Sequence, residues 1–197
     1  MSIVTAFLYR DFALICGDTL LVKPDGSHGT IKKIHKSSNN IAFGMTGDVN
    51  NNVEFFSPFF NNNFAIDESV VAQHTFNSIV ESLDQKFELN MKLGTVPENF
   101  DIAGVVVGWD GEKFACHKYM LSPPKKDREV LCFANYNEIQ IIHLGMAEHL
   151  QNFMQLFDPS KFNSYQYLLE VYQLVLLMGA TFDNTISTTE EYILLFT

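Results

Sequence analysis

Cysteine is scarce in this chain of 197 residues, and the three present, Cys16, Cys116 and Cys132, are an odd number set in apolar, strand-like surroundings. Neither a disulfide framework nor a thiolate metal cluster is built from such a set, so reduced core thiols in a reducing compartment are expected. Histidine is little better supplied. His28, His35, His74, His117, His143 and His149 never fall at a ligand spacing such as H-x-x-x-H, so no metal site and no cofactor is called for. Basic residues are outnumbered: 13 Lys and Arg face 23 Asp and Glu, a formal charge of −10. That sign repels phosphate backbones and anionic lipid, which argues against nucleic acid and membrane surfaces as partners. Long apolar runs are missing too. Leu168 to Ala180 is interrupted by Glu170, Tyr172 and Gln173, and the start MSIVTAFLYRD has no basic segment ahead of a long apolar stretch. A soluble, cytoplasmic protein is expected.

What the chain does have is apolar residues, 47% of the total, enough to bury a full core in a single domain spanning 1–197. Ile3 to Tyr9 and Phe12 to Cys16 read as a hairpin turning at Arg10-Asp11. Turn formers fill Lys23 to Gly29, and a second strand pair, Ile31 to Lys36 and Ile41 to Met45, follows. Asp48 is placed to cap a helix ending at Pro58, and Asp67 another from about Ser69 to Leu89, where Val70, Val71, Phe76, Ile79, Val80, Leu83 and Phe87 recur at helical spacing. The aromatic run Phe55, Phe56, Phe59, Phe60 and Phe64 reads as core plus loop, with a subunit contact as the alternative. Ile102 to Gly108 and Lys113 to Lys118 flank an Asp-Gly turn. Strands at Val130 to Ala134 and Ile139 to Leu144, helices at Met146 to Phe157 and Tyr165 to Met178, and a closing strand, Tyr192 to Phe196, complete the pattern. Two blocks of strands, each followed by a pair of helices, predict an α+β fold: a four-layer αββα sandwich of two stacked, mainly antiparallel sheets.

One residue suggests chemistry. Ser2 follows Met1, and removal of Met1 would leave a hydroxyl nucleophile carrying its own α-amine. An α-amine, with a reference pKa of about 7.7–8.0, can serve as the general base for its own side chain near neutral pH.

The segment SIVTAFLYRDFALICGD resembles the opening of proteasome β subunits and the bacterial HslV peptidase, whose mature chain begins with threonine and reaches an Asp after the same hairpin. Thr30-Ile-Lys-Lys-Ile-His35 is similar to the strand bearing that family's catalytic lysine, and Ile41 to Asp48 to its glycine-bearing turn. Asp183 to Tyr192 is similar to a C-terminal stretch of HslV. The resemblance implies an N-terminal-nucleophile peptidase with Ser2 as nucleophile, Asp18 and Lys33 as a charge pair beneath it, Gly44 as oxyanion donor and Asp183 as a supporting carboxylate. Lys32 and Lys33 point to opposite faces of a strand, so only one reaches the site; position favours Lys33, with Lys32 the alternate. It also implies a peptide or unfolded-protein substrate, a ring-forming homo-oligomer and an ATP-dependent unfoldase as feeder. Serine in place of threonine and His143-Leu-Gly145 in place of Gly-Ser-Gly depart from the pattern. Two alternatives stay open: a catalytically silent subunit that keeps Met1, and a small-amide hydrolase.

Overall fold

The computed structural model describes residues 3–23, 25–37, 40–47, 52, 55–56, 75–93, 102–121 and 139–197. The first hairpin is as expected: β1 (Val4–Leu8) pairs antiparallel with β2 (Phe12–Asp18), with Val4 opposite Gly17 and Leu8 opposite Ala13. The turn region Lys23 to Gly29 joins two short strands the pattern did not foresee, β3 (Leu20–Val22) and β4 (His28–Thr30), because three-residue strands are too brief to show an alternation. β5 (Ile34–Lys36) pairs with β6 (Ala42–Thr46), so Ile31, Lys32 and Lys33 precede the strand predicted to contain them.

The long helix, α1 (Phe76–Leu93), contains Phe76, Ile79, Val80, Leu83 and Phe87 of the predicted series; the beginning of the predicted span, 69–74, lies outside the described residues. The Thr75 hydroxyl accepts from the Ser78 N–H at 3.3 Å, an N-cap that competes with helix continuation in the N-terminal direction. Val70, Val71, Asp48, Asp67, Phe59, Phe60, Phe64, Cys132 and the strand expected at Val130 to Ala134 lie outside the described residues. β7 (Ile102–Trp109) and β8 (Phe114–Leu121) form the expected hairpin. Its turn places Gly111 at φ +114°, and the Asp110 carboxylate accepts from the Glu112 and Lys113 amides. Then come β9 (Gln140–Leu144), α2 (Glu148–Met154), a single 3₁₀ turn at Pro159–Lys161, α3 (Tyr165–Phe182) and β10 (Glu190–Phe196).

The result is an α+β fold with antiparallel sheets. One sheet runs β10-β2-β1-β9 and the other β5-β6-β7-β8. Three apolar clusters account for the order of packing. Val4, Ala6 and Ile15 meet Ile34, Ala42, Val105 and Cys116 of the other sheet. The opposite faces of β1 and β2, through Phe7, Leu14 and Cys16, pack on Leu150 of α2 and Val171 and Leu176 of α3. Phe43 and Val106, together with the buried Phe55 and Phe56, pack on Phe76, Ile79 and Leu83 of α1. β2 is therefore buried along its whole length, contacting the other sheet on one face and helices on the other, which is why FALIC reads as a continuous apolar run rather than an alternation. Among the described residues no helix is long and apolar enough to cross a membrane.

The two sheets approach closely at Gly44. A Cβ built there would lie 2.5 Å from Val4 Cγ1 and 3.1 Å from Val105 Cγ2. Gly44→Ala is expected to cost about 1–3 kcal/mol in urea denaturation, the usual range for overpacking, and Val4→Ala in the same chain to recover part of that loss through coupling between the two positions.

Candidate functional site

Asp18 ends β2 with its carboxylate fully buried, and four donors converge on it. Oδ1 accepts from the Lys33 ammonium and from the Ile3 N–H, each at 2.7 Å. Oδ2 accepts from the Leu20 N–H at 3.2 Å and the Ser187 N–H at 3.5 Å. A buried carboxylate must have its lone pairs satisfied, and here three backbone amides and one cation do so. The Ile3 carbonyl in turn accepts from the Asp18 N–H and from the Tyr172 hydroxyl, both at 3.1 Å, so the start of β1 is tied to Asp18 through both of its backbone groups.

Lys33 is only 6% exposed, and its carbonyl accepts from the Met45 N–H at 2.9 Å, which fixes the backbone beside β6. Burial pushes its ammonium pKa below the ordinary 10.5, opposed by the charge and hydrogen bond of Asp18. Lys32 is exposed, and its carbonyl lies 3.2 Å from His35 Nε2. The structure thus brings Asp18 and Lys33 together, while Lys32, exposed, lines the same cavity as Lys33. Ser2 lies outside the described residues, next in sequence to Ile3.

Gly44 does not line the cavity beside them. It sits in mid-strand, opposite Ile34 on one side and Val105 on the other, so neighbouring strands flank its amide and its α-carbon faces Val4. Gly47 is better placed: it is exposed, follows the end of β6 at φ +81° and lines the same cavity as Lys33. That cavity measures about 240 Å³; Leu20, Ile31 and Met45 form an apolar wall, and Lys33, Gly47 and Thr185 a polar one. Asn52, 1% exposed, braces the wall by donating to the Thr46 carbonyl at 2.7 Å and accepting from the Ala103 N–H at 3.1 Å.

Asp183 does not reach Asp18 through any described hydrogen bond. It caps α3, its N–H donating to the Gly179 carbonyl at 2.9 Å, and its Oδ1 accepts from the Thr185 hydroxyl and from the Thr185 N–H at 2.8 Å. Those bonds hold its carboxyl below the usual range. Its part in the site is to fix Thr185, which faces the cavity. Sequence reading assigns Gly47 to the turn and misses Asn52, Tyr172, Thr185 and Ser187; the sole local hint was the Asp183-Asn-Thr-Ile-Ser run of turn and capping residues.

His143 belongs elsewhere. It lies opposite Thr5, whose hydroxyl is 3.1 Å from its Nδ1, and burial, reinforced by the charge of Lys118, lowers its pKa to about 4. It is neutral at working pH.

No protein-family model and no curated protein matches the chain. Solved structures do. The chain is similar to Anbu (ancestral beta-subunit) from Yersinia bercovieri, with a TM-score of 0.69 at 8% identity over 98% of this chain and 81% of that one. It is similar also to a Gly-1 mutant of Anbu from Hyphomicrobium sp. strain MC1, with a TM-score of 0.69 at 9% identity over 100% of this chain and 82% of that one. At such identities the likeness is one of fold. It corrects the resemblance to proteasome β subunits and HslV: the structural neighbours are Anbu proteins, proteasome-like but distinct. The matching residues, a hairpin closed by Asp and a following lysine, describe a local ion pair rather than one family's identity.

Removing one member of a buried ion pair strands the other. Asp18→Asn is expected to lose about 3–5 kcal/mol at neutral pH by urea denaturation, and the Asp18→Asn, Lys33→Met double variant to regain much of it. The pH dependence has a definite sign. Because Lys33 is depressed in the folded protein, the unfolded chain keeps that proton to higher pH, so stability attributable to Lys33 rises with pH through the window below 10.5. Lys33→Met should remove that slope in denaturation curves taken across the alkaline range.

Proposed function

We propose that the chain is a proteasome-like hydrolase subunit whose nucleophile is the Ser2 hydroxyl, freed together with its own amine when Met1 is removed. In this reading the whole chain is one domain, a four-layer αββα sandwich with α2 and α3 on one outer face and α1 on the other; the three apolar clusters support that order. The carrying observation is that Asp18 Oδ1 accepts from both the Lys33 ammonium and the Ile3 N–H. The carbonyl carbon of Ser2 is bonded to that same Ile3 nitrogen, so the proposed nucleophile is one peptide unit from the counter-ion of the buried lysine.

The chemistry follows from those groups. The α-amine takes the Ser2 hydroxyl proton as the oxygen attacks a peptide carbonyl, and the Lys33 ammonium stabilises the negative charge that develops. The Gly47 N–H, in place of Gly44, donates to the oxyanion; one such donor is worth about 3 kcal/mol. The protonated amine passes its proton to the leaving nitrogen, leaving an ester on Ser2. Water, deprotonated by the same amine, then releases the acid. The cavity walled by Leu20, Ile31 and Met45 receives a substrate side chain. The substrate is a peptide or unfolded protein, and the assembly a homo-oligomeric ring fed by an ATP-dependent unfoldase. The neighbours' printed name, a beta-subunit, supports assembly from copies.

Intact mass and N-terminal sequencing of untagged native protein should show loss of Met1, and a peptide vinyl sulfone or β-lactone should label Ser2. Ser2→Ala should abolish both labelling and peptide hydrolysis. Lys33→Ala should lower turnover on the order of 10²-fold or more, while Lys32→Ala leaves it unchanged. Native protein that keeps Met1 and resists the probe would overturn the peptidase in favour of a silent subunit.

A further inference from the structure

Tyr172 has no part in the chemistry just described, yet its hydroxyl reaches the first described residue of the chain. It projects from α3, is fully buried, and donates to the Ile3 carbonyl at 3.1 Å across 169 positions of sequence. That carbonyl also accepts from the Asp18 N–H at 3.1 Å, the rung that extends the β1–β2 ladder beyond Val4 and Gly17. Both lone pairs of the oxygen are thereby used. The N–H of Ile3 is held by Asp18 Oδ1 at 2.7 Å. Ile3 is thus gripped on one side by β2 and on the other by a helix. Without the phenol the carbonyl would keep a single partner, and the Ile3–Val4 peptide unit, from which the chain continues back through the Ile3 N–H to residue 2, would gain freedom to tilt.

We infer that Tyr172 is a positioning residue for the proposed Ser2 nucleophile, its hydroxyl clamping the Ile3 carbonyl so that the preceding residue is aimed from a rigid peptide plane. The inference rests on the functional reading above. Burial holds the phenol pKa far above its ordinary value, so the group stays protonated and donates at any working pH. Positioning of this kind acts on the reaction rather than on substrate affinity, because a small misplacement of a reacting group slows chemistry without altering the binding cavity.

A matched control lies on β8, against α1. Tyr119 is equally buried, and its hydroxyl donates to Asp84 Oδ1 at 3.0 Å. Tyr172→Phe and Tyr119→Phe each delete one buried phenol hydroxyl and keep the ring, so both should fold with similar small losses in Tm. In Tyr172→Phe, kcat and the rate of Ser2 labelling by the vinyl sulfone should fall together, on the order of tenfold, with KM within about twofold of wild type. In Tyr119→Phe both rates should stay at the wild-type level. A reactive wild type with unchanged rates in Tyr172→Phe, or with equal losses in both variants, would overturn the positioning role alone. A wild type from which Met1 has been removed but which remains inert to the probe would overturn the proposed function, and this inference with it.

Discussion

A single buried carboxylate organises this structure. Asp18 has no access to water, so every acceptor direction it presents must be met from within the protein, and the fold supplies partners from four places: the start of β1, the bend before β3, the segment before β5, and the loop between α3 and β10. None of these segments is near another in sequence except the two around Asp18 itself. Desolvating an ammonium and a carboxylate together is costly, and the pair is tolerable because the remaining lone pairs are occupied by backbone amides. The same arrangement that makes the pair stable also sets the lysine beside an open cavity with its charge only partly compensated.

Around that centre the packing is set by shape. β2 is apolar on both faces because sheet and helices cover it, and Gly44 lets Val4 approach the second sheet more closely than any side chain would allow. Gly44 spaces the sheets, and Gly47 lines the cavity. Both have the smallest side chain; position relative to the strand end separates their roles. A glycine between two paired strands has its amide engaged, whereas one beyond the last rung presents it outward.

Much of this was legible in the chain. Ile3 to Cys16, Ile102 to Lys118 and Tyr165 to Met178 have long apolar periods or strong turn chemistry, and each forms the element its pattern predicts. The juxtaposition of Asp18 with Lys33 followed from ordered landmarks. Where reading failed, the deciding physics was non-local or brief. β3 and β4 are too short to carry a period, and α3 runs through Gly179 to Phe182 because the packing of its inner face outweighs glycine's weak propensity. Tyr172 reads as one more core aromatic until the fold brings its hydroxyl to Ile3. Family identity was the least legible, since the residues that suggested it describe one ion pair and not a family's full pattern.

The order in which a ribosome makes the chain gives these long spans a further meaning. Ile3 and Asp18 each wait 169 positions for their distant partners, Tyr172 and Ser187. Until α3 and the loop beyond it have been synthesised, the Asp18 carboxylate lacks one of its donors and the leading strand lacks its outer clasp. A growing polypeptide therefore carries this centre unfinished through most of its synthesis, and its geometry closes only when the late segments dock.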